Sequence, residues 1–319
     1  MVNFVDYYIR YTERLRHINN AVVNSPYELI RQMEVQYRKR INEIADFVMS
    51  TGDGRKLIML AGPSSSGKTT TANMIVSRVK ESGANAVRLS LDDFFKGEGQ
   101  APLLPNGVYD YESVYALDIE LMQACLTSLL TEGHCLMPRF DFPSKSPAPE
   151  RYPLTVGEND VIIVEGIHAL NPLVTDCLPD DKMVKIYISV KQGIKEGDEE
   201  VISSKQIRFL RRLVRDYKFR DSGPERTFEM WPQVVRGEEL YIQPYKRLVN
   251  VTINSLHIYE VNAIADNAIE LLSLLGEDSP YYDEAQEYIK KLTLFENLDE
   301  RLIPAESLIR EFIGQGALN

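Results

Sequence analysis

The chain has 319 residues, of which 44% are hydrophobic and 26% are charged, and its formal net charge at pH 7 is −11. This is the composition of an ordinary soluble globular protein, long enough for one large α/β domain with appendages or for two domains. The acidic balance argues against nucleic acid as a partner, because phosphate backbones select basic surfaces. No apolar run approaches the ~18 residues that a membrane span needs.

The cysteines and the first residues bear on where the protein works. The three cysteines include no C-x-x-C pair, which favours reduced, packed side chains over a disulfide framework or a zinc site. The start, MVNFVDYYIRYTERLR, lacks the basic and then apolar layout of a signal peptide. We therefore expect a cytoplasmic protein with small-molecule ligands and neither a nucleic-acid nor a membrane partner. The sequence leaves a homo-oligomer open.

The two ends of the chain are predicted to be helical. Residues 1–52 form an N-terminal extension in which Ser25, Pro26 and Glu28 give the pattern of a capping box with a proline at the first helical position. Residues 53–275 are expected to form the main domain, and residues 276–319 a helical C-terminal tail.

Within the main domain, short apolar strands alternate with helices, which indicates βαβ units and a parallel sheet. Strands are predicted at 57–61, 86–91, 135–140, 161–165, 184–190 and 249–253, and helices at 68–82, 117–131 and 203–219. The fold class that follows is α/β, a doubly wound parallel sheet flanked by helices. The stretches 96–113 and 143–158 are long and rich in Gly, Pro and Ser, and loops of that length in a compact domain are usually functional.

One loop carries a specific motif between a buried strand and a helix. Residues 62–69 read GPSSSGKT, which fits the P-loop pattern G-x-x-x-x-G-K-[ST]. Its glycines let backbone N–H groups turn inward around phosphate oxygens, and a chance Gly/Ser turn rarely has this strand and helix around it. Lys68 is expected to reach the β- and γ-phosphates and the Thr69 hydroxyl to bind Mg²⁺. The nucleotide-binding set is Gly62, Pro63, Ser64, Ser65, Ser66, Gly67, Lys68, Thr69 and Thr70, which makes the fold class that of the P-loop NTPases.

Acidic residues follow two of the predicted strands. Asp92 and Asp93 come directly after AVRLSL, and Glu165 ends the apolar run VIIVE. Ligands bind beyond the carboxyl ends of strands in open α/β sheets, so these acids are expected near the γ-phosphate. There one of the two aspartates could accept a proton from an attacking hydroxyl or help order Mg²⁺, and Glu165 could hold the metal directly or through water. The plainer interpretations are a solvated turn with an Asx cap and a cap on the next segment.

An arginine-rich segment, KQIRFLRRLVRDYKFR, lies between Lys205 and Arg220. Arg208, Arg212 and Arg215 are spaced to share one face of a helix. A solvated basic face is the plain interpretation, but planar guanidinium groups beside a P-loop are suited to clamping a transferring phosphoryl group. The four histidines show no metal-ligand spacing and are interpreted as structural, with His168 alone expected near the site.

The order of these motifs resembles the uridine kinase/phosphoribulokinase family of P-loop kinases. GPSSSGKTT, SLDDFF, PRFDF, VIIVEGIHAL and RRLVRDYKFR follow in that family's order, over roughly residues 55–275. The stretches FRDSGPERTFEMWPQVVRGEELYIQPY and SLIREFIG are similar to a bacterial branch of nucleoside or uridine kinases.

The resemblance implies a role for each matching residue. Asp92 matches the general base for a ribose 5′-hydroxyl, and Glu165 the acid associated with Mg²⁺. Lys68, Arg212 and Arg215 join Asp92 in the catalytic set. The substrate-binding set consists of Asp110, expected at the sugar 2′- and 3′-hydroxyls, Phe140 and Phe142 of PRFDF, and Arg220. Phe140 stands where uridine kinases have a tyrosine that hydrogen-bonds the pyrimidine base.

The expected function is therefore ATP- and Mg²⁺-dependent phosphorylation of the 5′-hydroxyl of a nucleoside, uridine- or cytidine-like. One alternative is a kinase of the same fold that acts on another small alcohol, such as a sugar phosphate or a vitamin precursor. The other is a nucleotide-dependent regulatory protein without an acceptor. Against it, the chain has no N-K-x-D guanine-reading motif.

Overall fold

The structure is a computed structural model that describes residues 14–51 and 54–317. Its helices are α1 (Leu15–Asn24), α2 (Pro26–Ser50), α3 (Lys68–Glu81), α4 (Ile119–Thr131), α5 (Pro172–Thr175), α6 (Ser204–Phe219), α7 (Pro224–Tyr241), α8 (Glu260–Leu272), α9 (Tyr282–Leu292) and α10 (Arg310–Ile313). Its strands are β1 (Lys56–Ala61), β2 (Ala86–Ser90), β3 (His134–Met137), β4 (Phe140–Asp141), β5 (Ser146–Pro147), β6 (Tyr152–Thr155), β7 (Val161–Glu165), β8 (Met183–Ser189), β9 (Ile194–Glu196), β10 (Glu199–Ile202) and β11 (Val251–Asn254).

Five parallel strands form the central sheet, in the order β2–β7–β1–β8–β11. Side chains of β1 alternate between its two faces: Ile58 and Leu60 pack into one apolar core, and Leu57 and Met59 into the other. Both faces are covered by helices, which is why the strand reads as a continuous apolar run. The predicted doubly wound parallel α/β fold is confirmed, as are the helices predicted at 68–82, 117–131 and 203–219.

The strand predicted at 135–140 was wrong as a member of this sheet. β3 instead pairs antiparallel with β6 in a separate two-stranded ribbon, and β4 pairs with β5. Leu136 is 59% exposed and only Met137 of β3 is fully buried. A half-buried strand of this kind can lie at the side of the domain, whereas a central parallel strand is covered on both faces.

Helix α7 was not predicted. It begins at Pro224, in the first helical position, and contains Pro232 in its interior. A proline inside a helical pattern usually ends or kinks the helix, which obscured the signal. The capping box predicted at Ser25 is not formed either, because the Ser25 hydroxyl bonds the Ala21 carbonyl of the preceding helix while Glu28 bonds Arg31.

The terminal segments pack into the core of the main domain. Ile41 of α2, Ile58 of β1 and Phe312 of α10 belong to one continuous apolar cluster. Residues 1–13 of the predicted extension lie outside the described residues. The predicted helical tail contains α9 and the short α10, joined by turns. No helix in the described ranges has the length and hydropathy to cross a membrane.

Candidate active site

The predicted phosphate loop connects the end of β1 to the start of α3. Ser65 and Gly67 have φ angles of 58° and 86°, so two residues in the left-handed region turn the backbone around an open concavity. A Cβ at Gly62 would come within 2.2 Å of the Ile188 carbonyl oxygen, so this position requires glycine. Among the described residues, the buried hydroxyls of Ser65 and Ser66 have no hydrogen-bond partner. This cradle with unused donors fits an oxygen-rich anion.

The N-terminal extension supports this loop directly. The Thr71 hydroxyl donates to the Gly67 carbonyl oxygen at 2.6 Å, so the Tyr37 hydroxyl of α2, also 2.6 Å from Thr71 Oγ1, is the donor in that second bond. No sequence pattern predicts this contact, because Tyr37 lies ahead of the motif on a separate helix.

Lys68 lies against the loop that precedes it. Its Nζ donates to the carbonyl oxygens of Gly62 at 3.0 Å and Pro63 at 3.1 Å. Burial lowers the pKa of Lys68, while the carboxylates of Glu165 and Asp92 oppose that shift. The ammonium group is therefore held at the loop and faces both acids predicted for the site.

The two predicted acids meet because their strands are neighbours. Ser90, the last residue of β2, is in register with Glu165, the last residue of β7, and Asp92 follows in the turn Leu91–Phe94. Burial, aided by the charge of Asp92, raises the pKa of Glu165 to about 7. Desolvation also raises the pKa of Asp92, whereas the positive charges of Lys68, Arg220 and Arg215 act to lower it.

Glu165 and Thr69 form the predicted metal pair. Glu165 Oε1 lies 3.5 Å from the Thr69 hydroxyl and 3.1 Å from Nη1 of Arg88. The described residues contain no group of three or more His, Cys, Asp or Glu side chains that could hold a metal. Two oxygen ligands nevertheless fit Mg²⁺, which is usually held by one or two protein groups together with substrate phosphates and water.

Three of the predicted arginines surround one carboxylate that the sequence analysis missed. Asp216 of α6 lies 3.1 Å from Arg212 Nε, 2.6 Å from Arg215 Nη2 and 3.6 Å from Arg220 Nε. Asp216 is only 4% exposed. The sequence could have indicated this role, because Asp216 lies four residues from both Arg212 and Arg220, and residues four apart are neighbours on a helix.

Two further arginines of α6 brace the loop. Arg208 donates to the Ser64 carbonyl oxygen at 3.3 Å and to Glu238 at 2.6 Å. Arg211 donates to the Ser65 carbonyl oxygen at 3.2 Å and pairs with the buried Glu260. Both arginines are buried, so the solvated basic face is wrong, and Arg208 holds the loop backbone rather than extending the arginine set at Asp216.

These elements enclose a cleft of about 640 Å³. It is lined by the loop, the strand ends, α6 and two segments beyond them: Ser64, Ser65, Ser66, Lys68, Thr69, Asp92, Phe95, Tyr111, Glu112, Phe142, Glu165, Ile167, Arg212, Arg215, Phe219, Arg220, Glu311, Gly314, Gln315 and Gly316. The structure thus brings the predicted catalytic and metal residues into one cavity.

Comparison with known proteins identifies the family. The sequence profile of the Phosphoribulokinase / Uridine kinase family matches residues 57–262. The chain belongs to this family. A uridine kinase from Bacillus pumilus (strain SAFR-032) is 30% identical over 198 residues, which are 62% of this chain and 85% of that protein. A uridine kinase from Leuconostoc citreum (strain KM20) is 28% identical over 198 residues, 62% of this chain and 86% of that protein.

Among solved structures, that of a possible uridine kinase from Bacillus stearothermophilus is 18% identical, with a TM-score of 0.45 over 68% of this chain and 99% of that one. As a member of the phosphoribulokinase/uridine kinase family, the chain is a phosphotransferase.

In this phosphotransferase, Asp110 does not line the cleft. Its Oδ2 accepts from the Tyr241 hydroxyl at 2.8 Å and lies 3.3 Å from Nη1 of Arg236, and the residue is 6% exposed. Its predicted contact with sugar hydroxyls stays a prediction. Both partners come from α7, the helix that the sequence analysis missed.

Of the two predicted aromatic residues, one lines the cleft and the other packs behind it. Phe142 lines the cleft and is 60% exposed, whereas Phe140 packs behind it, with its ring 5.2 Å from Phe142 and 5.7 Å from Phe95. The backbone N–H of Phe140 donates to Asp93. Asp93 therefore positions this aromatic group, and Asp92 is the acid that lines the cleft.

Glu112 is a cleft acid that sequence reasoning missed. Burial raises its pKa to about 7, against the attraction of Arg212. No side chain in the described part of the chain hydrogen-bonds its carboxylate, and the ring of His168 donates to its backbone carbonyl. Burial lowers the pKa of His168 to about 4, so this ring is uncharged near neutral pH. Its structural role stays a prediction. The sequence DYES at residues 110–113 offered the signal, since it places a second acid two residues after Asp110.

Proposed function

We propose that this phosphotransferase uses ATP and Mg²⁺ to phosphorylate the 5′-hydroxyl of a nucleoside. The observation that carries the proposal is the convergence, in one cleft, of Lys68 on the phosphate loop, Asp92 at the end of β2 and the arginines held by Asp216. Transfer to an alcohol requires these three parts: a phosphate cradle, a base for the hydroxyl proton and cations for the moving charge.

The donor's phosphates are assigned to the loop. Backbone N–H groups of residues 64–70, together with the hydroxyls of Ser65 and Ser66, which have no partner among the described residues, would hold their oxygens. Thr69 and Glu165 would hold Mg²⁺, which when bound neutralises phosphate charge. Lys68, already at the concave side of the loop, would contact the terminal phosphates.

The acceptor hydroxyl is assigned to Asp92. Its raised pKa brings the carboxyl closer to the pH at which it can both lose and accept a proton, and it faces the cations of Lys68, Arg215 and Arg220. In the reaction the hydroxyl oxygen forms a bond to the γ-phosphorus, its proton passes to Asp92, and the bond to the ADP leaving oxygen breaks. Arg212 and Arg215 stabilise the charge on the transferring group.

The acceptor's ring is assigned to the aromatic side of the cleft. Phe95, Tyr111 and Phe142 offer faces on which a base can stack. Phe140 has no hydroxyl that could hydrogen-bond the edge of a base. We therefore expect this site to discriminate between bases less strongly than a site in which a buried tyrosine makes that bond.

The second candidate is phosphorylation of another small alcohol, such as a sugar phosphate. It is favoured by one observation: Asp110, the acid assigned to the ribose diol, is held by Tyr241 and Arg236, while Glu112, whose carboxylate has no hydrogen-bond partner among the described residues, lines the cleft.

The test is a phosphorylation screen of the purified protein with ATP and Mg²⁺ against pyrimidine and purine nucleosides and a set of sugar phosphates. We expect nucleoside-dependent ADP formation and a 5′-monophosphate product. Phosphorylation of a sugar phosphate alone would establish the second candidate. ADP formation indifferent to every alcohol would remove both.

A further inference from the structure

The C-terminal turn, defined as residues 308–316, lies outside the residues matched to the family and yet contacts the phosphate loop. Glu311 Oε2 accepts hydrogen bonds from the backbone N–H of Thr70 at 3.1 Å and from its hydroxyl at 2.8 Å. Glu311, Gly314, Gln315 and Gly316 also line the cleft. The C-terminal turn is therefore part of the site.

The C-terminal turn is held in place by several other contacts. Leu308 packs so closely on Gly67 that a Cβ there would lie 2.5 Å from Leu308 Cδ1. The Phe312 ring receives the guanidinium of Arg211 at 4.7 Å, and Lys218 donates to the Ile313 carbonyl oxygen at 3.3 Å. Both cations belong to α6, the helix that carries the catalytic arginines. The position of Glu311 thus follows from the packing of the whole turn.

The Thr70 N–H is a donor that a nucleotide also needs. Thr70 is the third residue of α3, and the first N–H to bond within the helix is that of Thr71, to the Gly67 carbonyl. Free N–H groups at this end of a P-loop helix hold donor phosphates. A single N–H cannot serve a carboxylate and a phosphate fully at once, and two anions at this distance repel each other.

We propose that Glu311 competes with the donor's phosphate for Thr70, so that the C-terminal turn sets the affinity for the nucleotide. Donor binding then requires the carboxylate to leave Thr70. This inference rests on the proposed binding of the donor at the loop, and it adds a residue that the loop motif does not contain.

The experiment compares ADP binding to the parent protein and to Glu311→Gln, by titration calorimetry without acceptor. Glu306→Gln is the control, because Glu306 is an exposed acid just before the C-terminal turn and does not line the cleft. We expect Glu311→Gln to bind ADP about tenfold more tightly, since the uncharged amide no longer repels the phosphate, and Glu306→Gln to bind like the parent protein.

A second readout guards against a folding defect in the variant. Without nucleotide, Glu311→Gln should melt below the parent protein, because a charge-assisted bond to the helix start is lost. Saturating ADP should then raise its melting temperature more than that of the parent. Equal or weaker ADP binding by a folded Glu311→Gln would overturn the competition. Absence of ADP binding by the parent protein would instead refute the proposed donor site, and this inference with it.

Discussion

Asp216 fixes the direction of Arg212: its Oδ2 lies 3.1 Å from Arg212 Nε, and Arg212 Nη1 in turn donates to the Ser64 hydroxyl at 3.0 Å. The guanidinium group is thus held from both sides, between its own helix and the phosphate loop. A cation positioned before the substrate arrives needs little reorganisation during transfer.

Asp216→Asn should therefore lower kcat more than it raises KM for ATP. The amide cannot hold Arg212, Arg215 and Arg220 by charge, so we expect kcat to fall roughly tenfold to a hundredfold. Steady-state kinetics measure the effect. Asp221→Asn, a change at an exposed acid just past the same helix, should leave both constants unchanged, and equal constants for both variants would contradict the role of Asp216.

Asp92→Asn tests the general base. We expect ADP to bind as in the parent protein and kcat to fall about 10²- to 10⁴-fold, because the amide cannot accept the hydroxyl proton. Asp93→Asn is the matched control, since the neighbouring carboxylate bonds the Phe140 backbone rather than facing the cleft. An unchanged kcat in Asp92→Asn would remove this residue from the mechanism.

Glu165→Gln should change how stability depends on pH. Burial raises the folded-state pKa of Glu165 from 4.5 to about 7, so the folded protein binds a proton that the unfolded chain releases. The stability that this proton provides is complete below about pH 4.5 and is lost as the pH rises through about 7, a change on the order of 3 kcal/mol.

The glutamine variant does not titrate at this position. The free energy of unfolding of this variant, measured with urea and without metal, should rise relative to that of the parent as the pH increases from about 5 to about 8. Glu158→Gln, at an exposed acid, should follow the parent at every pH. A difference between Glu165→Gln and the parent that is independent of pH would show that Glu165 has no raised pKa.

Glu112→Gln tests the acceptor side. An amide forms weaker hydrogen bonds to hydroxyls than a carboxylate does, so we expect KM for the acceptor to rise severalfold to tenfold while KM for ATP stays constant. Glu98→Gln removes an exposed acid that pairs with Lys145 outside the cleft and should change neither constant. An acceptor KM equal to that of the parent would exclude Glu112 from acceptor binding.

Tyr37→Phe tests the support of the loop by α2. Loss of the buried bond to Thr71 should lower the free energy of unfolding by about 1 kcal/mol, measured by denaturant titration. Tyr27→Phe changes a tyrosine of the same helix that is 72% exposed, and it should have no effect. A similar loss in both variants would show that the hydroxyl bond to Thr71 is not the cause.

The parts of the site that the sequence predicted are those specified by local patterns. The phosphate loop needs only its own glycines and the strand and helix beside it, and Asp92 and Glu165 follow directly from strands that end at one edge of the sheet. Strand β3 was assigned to the wrong sheet because an apolar run does not indicate whether one or both faces of a strand are buried.

The missed residues depend on distant contacts instead. Thr70 and Glu311 are 241 residues apart, and no spacing rule connects them. Glu112 reaches the cleft only because its loop packs on α7, where a Cβ at Gly237 would lie 2.5 Å from the Glu112 Cβ. The prolines of α7 concealed that helix, and the partners of Asp110 with it.

The contact of α2 with α3 also determines where this chain can be shortened. A fragment that starts at Leu57, the first residue matched to the family, would expose the apolar side of α3 to water, because α2 packs on α3 and shares its apolar core. Such a fragment would keep every residue of the motif and still tend to aggregate on expression. Crystallisation trials and domain-swap chimaeras should therefore retain the first two helices.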